Sequence, residues 1–276
     1  MSAPTTPPVV IDTHRPKIPF SRLASVETRK MFDTRAGLWL MIITGILLAL
    51  TMGVVLLVIG LVEDASISAD GFSQALTFPL SLLLPVFAIS TVTSEWGQRN
   101  HLTLFTLEPH RLRVFLAKLV AVITLALGTI VVAIVFGVIG NLLAGVITGD
   151  EVVWDVDVKM LLWTVGLQLA YFLMAFALAT LLLNTPAAVA VFYAFGLIVP
   201  IMVYSPLIAF FEWAREVLPW VDFNLAATPL MTGMNVMGEP TDTGAFEVVR
   251  LIFALVLWIG VPGVLGFLRI LKTEIK

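Results

Sequence analysis

SEWGQRNHLTLFTLEPHRLRVFLAK, residues Ser94–Lys118, is the polar break on which the reading of this chain turns. It carries Arg99, Arg111, Arg113 and Lys118 together with His101 and His110, and long apolar stretches adjoin it on both sides. A bilayer interior of about 30 Å is crossed by about 20 apolar residues in a helix. Segments 38–62, 72–93, 115–147, 161–184, 187–211 and 251–271 all meet that length. The expected fold is therefore an all-α polytopic membrane protein with six transmembrane helices.

Composition agrees with that expectation. Of the 276 residues, 59% are hydrophobic and only 13% charged, whereas soluble domains carry about a quarter charged residues. The formal net charge of -3 points to no nucleic-acid partner. With no cysteine there is no disulfide framework, thiolate metal site or cysteine nucleophile.

The distribution of basic residues orients the spans. Arg15, Lys17, Arg22, Arg29, Lys30 and Arg35 precede the first span, the basic members of 94–118 separate the second from the third, and Arg269, Lys272 and Lys276 close the sixth. Alternating spans place all of these on one side and leave Lys159, Arg215 and Arg250 on the other. Glu63, Asp64, Asp70, Asp150, Glu151, Asp155 and Asp157 fall in the loops of that second side. The rule then predicts a cell (cytoplasmic) membrane protein with both termini cytoplasmic.

Outward from the spans, residues 1–19 contain Pro4, Pro7, Pro8, Pro16 and Pro19 and read as a disordered cytoplasmic tail rather than a signal peptide. Residues 20–276 read as one transmembrane domain. On a helix, Phe20, Leu23, Ala24 and Met31 share one side, with Arg22, Ser25, Arg29 and Asp33 opposite. Such a helix lies parallel to the membrane in the headgroup plane. Glu27 interrupts its apolar side, either snorkelling, pairing with Arg35 or Lys30, or touching a partner subunit. Between the fifth and sixth spans, FFEWAREVLPWVDF predicts one or two short external helices, Trp213 and Trp220 being suited to the interface.

The third span exceeds what a crossing needs, so it starts early, tilts, or bends at Gly128, Gly137 or Gly140. Pro79 and Pro85, and Pro200 and Pro206, predict kinks or early ends in the second and fifth. Asn184, Thr185 and Pro186 form a tight turn between the fourth and fifth.

Much chemistry is excluded. No G-x-x-x-x-G-K-[ST] occurs, so the chain has no P-loop, and no H-E-x-x-H provides a zinc site. No catalytic residue, metal ligand or cofactor of the chain's own is expected. The spans hold no deep Asp, Glu or His, which disfavours an intramembrane protease or a proton-coupled carrier. Their largest polar groups, Asn141 and Gln168, form interhelical hydrogen bonds or line a substrate path.

Within 94–118, Glu108-Pro109 restarts a helix, Pro109 standing where a missing N–H is tolerated. Leu102, Leu104, Phe105 and Leu107 form an apolar patch that packs under the bundle, dips into the interface, or fills a socket in a soluble protein.

SEWGQRNHLTLFTLEPHRLRVFLAKL resembles the cytoplasmic loop of type-2 ATP-binding cassette (ABC) permeases, particularly actinobacterial ones. VETRKMFDTRAGLWL is similar to that family's connecting helix running into its first span, and LLLNTPAAVAVFYAFGLIVP to its turn between spans four and five. In that turn, Asn184-Thr185 stands where many relatives have a basic pair.

The resemblance implies a six-span permease subunit of an ATP-driven exporter, paired with a second permease copy and with an ATPase subunit that holds ATP and Mg. Glu95, Trp96, Arg99, Leu102, Phe105 and Glu108 would form the coupling helix between spans two and three. Glu27, Arg29, Lys30 and Arg35 would belong to the connecting helix. The alternatives are a non-transporting membrane anchor for a cytoplasmic partner and, more distantly, an ion-coupled carrier.

Overall fold

The computed structural model describes residues 18–62, 69–97, 110–149, 151, 152, 154 and 157–272. In chain order the helices are α1 (Phe20–Asp33), α2 (Arg35–Leu61), α3 (Ala69–Gly97), α4 (Arg111–Thr148), α5 (Val158–Leu182), α6 (Thr185–Phe210), α7 (Glu212–Val221), α8 (Phe223–Thr232) and α9 (Ala245–Lys272). Among the described residues there is no strand, only an isolated bridge from Met234 to Pro240. Helices α2, α4, α5, α6 and α9, with Gln74–Glu95 of α3, are long and apolar enough to cross a membrane. The chain is a multi-pass membrane protein.

Burial separates an inner pair from an outer set. In their most apolar windows α3 is 50% buried and α5 56%, against 17% for α2, 11% for α6 and 17% for α9. Phe87, Ala88 and Ile89 of α3, Ala121 and Val122 of α4, and Phe172, Ala175 and Ala179 of α5 meet at the centre. Alanines are frequent there because lipid is as apolar as the core, so helices associate through close contact rather than through escape from water.

The prolines break nothing. Helix α3 runs through Pro79 and Pro85, both buried, without interruption. In α6 the missing N–H groups of Pro200 and Pro206 are accommodated by wide π-helical turns at Ala194–Ile198 and Pro200–Tyr204, where Val199 donates to Ala194 and Ser205 to Pro200. A third wide turn, Val256–Gly260, precedes Pro262 in α9. Helix α4 is one unbroken helix of 38 residues that begins at Arg111, four residues before the apolar segment at 115 and just after the Glu108-Pro109 restart. Leu183, in the left-handed region at φ 50°, ends α5, and Asn184 caps α6 by accepting from the Ala187 N–H at 3.0 Å.

Two close approaches fix the ends. Thr34 accepts from the Gly37 N–H at 3.0 Å as α1 turns into α2, and Gly37 lies so near the Met31 carbonyl that no side chain fits. Farther along, a methyl group on Gly266 would stand 2.6 Å from the Leu181 backbone nitrogen, so α9 meets α5 nearly backbone to backbone. Gly266→Ala is expected to cost about 1–3 kcal/mol through overpacking, read as a lower unfolding transition in detergent. An unchanged transition would mean the helices do not touch there.

Candidate functional site

Polar side chains gather at the end of the bundle from which residues 98–109 leave. Glu27 and Lys30, one turn apart on α1, face Glu95 in the last turns of α3 and Lys118 in the first turns of α4. Each carboxylate bridges both ammonium groups. Glu27 Oε1 lies 2.7 Å from Lys30 Nζ and its Oε2 2.8 Å from Lys118 Nζ. Glu95 Oε1 lies 3.0 Å from Lys30 Nζ and its Oε2 3.0 Å from Lys118 Nζ. Lys118 also donates to the Thr91 carbonyl at 3.1 Å, so all three ammonium hydrogens have acceptors.

This square carries no net charge, which is what permits its burial. Glu27 is 1% exposed and Lys118 7%. A single buried charge would cost several kcal/mol, whereas alternating charges with filled hydrogen bonds offset most of that cost. The exception on the apolar side of α1 is thereby explained: Glu27 pairs with Lys30, as one sequence reading expected, and with Lys118, which none included. Among the described residues Arg29 pairs with Asp33 alone, on the exposed side, and Arg35 is exposed at the start of α2.

Burial pulls the Lys30 pKa down, but the hydrogen bond and charge of Glu27, with those of Glu95, lift it above its ordinary 10.5. Because the folded value is the higher one, the stabilisation from Lys30 is complete below pH 10.5 and is lost as the pH climbs through the folded value. Hydrogen exchange across α1 is therefore expected to stay constant from about pH 6 to about pH 9, once corrected for intrinsic rates. Release of α1 near neutrality would contradict the geometry.

Further ties surround the square. The Arg111 guanidinium donates to the Ile270 carbonyl at 2.6 Å and the Leu271 carbonyl at 3.1 Å, capping the end of α9. Arg113 donates to the Ile18 carbonyl and Arg269 to the Leu181 carbonyl. Thr93 and Thr185 share a hydrogen bond of 2.6 Å. Of the residues assigned to the coupling helix, Glu95 is turned inward onto the two lysines and Trp96 belongs to the last turn of α3. Arg99, Leu102, Phe105, Glu108 and Pro109 lie outside the described residues, as does the tail before Ile18.

Toward the other end, a cavity of about 280 Å³ lies between α3, α5, α6 and α8. Thr77, Thr164, Gln168, Tyr171, Tyr193 and Asn224 bring polar atoms to it, and among the described residues no charged side chain lines it. A void of about 20 Å³, roughly one water, adjoins it and shares Thr77, Thr164 and Gln168. Gln168 is 3% exposed, and its Nε2 finds no acceptor among the described residues. A buried donor left unmatched costs about 1–3 kcal/mol. Asn141, equally buried on α4, is not free and does not line this cavity.

No protein-family model matches the chain, and no curated protein matches it. The two regions therefore stand on their own geometry. Among the described residues no cluster of His, Asp or Glu could hold a metal ion.

The tyrosines were not singled out from the sequence, although two of the three face the cavity. The spacing of Gln168 and Tyr171, three residues apart on one helix, was the available signal. The side chain of Asp222 accepts from the Asn224 and Leu225 N–H groups at 2.8 and 3.0 Å and so starts α8, which carries Asn224 to the cavity rim. Burial pushes the Asp222 carboxyl above the usual carboxylate range, against the pull of those two N–H groups.

Proposed function

We propose that the chain is the membrane-spanning permease subunit of an ATP-driven ABC exporter, working with a separate ATPase subunit that binds ATP and Mg. The observation that carries this reading is the square of Glu27, Lys30, Glu95 and Lys118, buried at Glu27 and Lys118 and open to the surface at Lys30. It welds α1 to the two span ends that flank the basic loop, so a push on that loop reaches α3, α4 and α1 together. A chain without a P-loop needs an external source of energy, and such a base suits a docked motor. In this reading the loop faces the cytoplasm, both termini share that side, α1 lies along the cell membrane surface, and α7 and α8 are external.

Glu95, Trp96, Arg99, Leu102, Phe105 and Glu108 would form the coupling helix that meets the ATPase. Glu95 fixes the root of that helix. The apolar faces of α2 and α6 would meet lipid and a second permease copy. A non-transporting anchor would also need a docking loop, but it would have no use for a polar cavity among its spans.

Co-expression with an ATPase encoded beside the chain tests the reading. A complex is expected to co-purify, and its ATP turnover is expected to fall to that of the free ATPase in the Leu102→Ala, Phe105→Ala variant. Retention of both complex and turnover would remove the coupling assignment. Turnover in vesicles that responds to added substrate separates the exporter from the anchor.

A further inference from the structure

We propose that the cavity between α3, α5, α6 and α8 binds an uncharged amphiphile through a carbonyl oxygen, as a neutral glycerolipid ester presents. Hydrogen-bond accounting leads to this chemistry. The Ser81 and Thr164 hydroxyls donate to the Phe78 and Met160 carbonyls, and Tyr193 donates to the Leu82 carbonyl. Tyr171 Oη accepts from Asn224 Nδ2 at 3.3 Å, and among the described residues no acceptor stands opposite the phenol's own hydrogen. Gln168 Nε2 has none either. Both residues line the cavity one turn apart on α5, and a ligand oxygen that draws the enclosed Gln168 amide round toward it would accept from both donors.

The lining also says what is excluded. Among the described residues no cation or carboxylate lines it, and the nearest carboxylate, Asp222, acts on Tyr171 from outside, so an anionic ligand would shed its hydration without a partner. The remaining wall is apolar and aromatic, with Phe78, Leu82, Leu167 and Phe192. At about 280 Å³ the space holds a glycerol-sized head and the first methylenes, not whole acyl chains. Phe78 at the rim is 61% exposed on the side of a spanning helix, so chains can trail past it into the bilayer. Gln168 lies ten residues into α5, about 15 Å along its axis, which sets the carbonyl near mid-membrane.

That the bound molecule is cargo rests on the exporter reading; that it binds does not. The test therefore uses the chain alone, in nanodiscs, with no ATPase. A diacylglycerol carrying a diazirine on one acyl chain is photolysed, and labelled peptides are mapped by mass spectrometry. Label is expected within 77–82, 164–171 or 192–197. Gln168→Leu and Tyr171→Phe are each expected to lower it about threefold to tenfold, as the loss of one hydrogen bond does.

Phosphatidic acid with the same acyl chains is expected to label at least about tenfold less, its phosphate having no counter-cation. Leu197→Trp, which fills the cavity and leaves both donors intact, is expected to abolish label. Variants are compared only where their unfolding transitions match the parent's. Unlabelled diacylglycerol and unlabelled dodecanamide are added as competitors, and displacement by either supports the carbonyl site while naming its source, ester or amide. Equal labelling by phosphatidic acid, or label indifferent to all three substitutions and to both competitors, would overturn the assignment.

Discussion

Lys118→Met is expected to cost about 3–5 kcal/mol and to leave little folded protein to purify. Methionine keeps the length and apolar stem of lysine, so the loss isolates the charge. Without it Glu27, 1% exposed, and Glu95 stand beside each other with Lys30 as the one cation they share among the described residues. The Thr91 carbonyl also loses the ammonium that donates to it. Each effect follows from taking one corner out of a closed square.

The Glu27→Gln, Lys118→Met double variant is expected to recover much of the loss, because it restores a neutral arrangement. The coupling between the two sites then appears as strong non-additivity in a double-mutant cycle. Unfolding of detergent-purified protein with hydrogen exchange across α1 reads both changes. A Lys118→Met protein as stable as the parent, with α1 still protected, would mean that the square does not hold α1 in place.

Phe172→Ala should be the other severe substitution. Phe172 is fully buried where α5 faces the common core. In water such a truncation costs about 3–5 kcal/mol, combining lost transfer energy with the void left behind. In a bilayer the transfer part shrinks, since lipid welcomes the ring as readily as the core does. The void part persists, because the neighbours of an unbroken α5 cannot collapse into it. A loss of about 3 kcal/mol is therefore expected, with Phe172→Leu costing less than about 1.5 kcal/mol. A loss below about 1 kcal/mol for the alanine variant would place the ring at a boundary rather than in the core.

How much of this was legible follows from what each feature depends on. The spans were legible because hydropathy alone sets them, and all six fall where long apolar runs stand. Their limits were less so. The Glu108-Pro109 restart announced a helix start near Arg111, but nothing local in HRLRVF says that Arg111 and Arg113 reach carbonyls of α9 and of Ile18, far away in sequence. The prolines end neither α3 nor α6 early; in α6 the irregularity they announce takes the form of wide turns.

At the candidate site, Glu27 was legible as an anomaly and Lys30 as one of its partners. The role of Lys118 was not, since it lies 91 residues from Glu27 and reads locally as one more flanking cation. Gln168 was marked by its polarity. The cavity beside it was not, because it forms between four helices whose registers only the folded chain sets.

The close approach of α9 to α5 at Gly266 has a mechanical corollary. Two rods in contact along their spines, one of them pinned at its tip by Arg111 from a third, cannot slide or swivel independently. Any change of shape must carry α4, α5 and α9 as a single block. Freedom to shift falls instead to the outer helices without such ties, α2 and above all α6, which is 11% buried and carries two widened turns that α5 lacks.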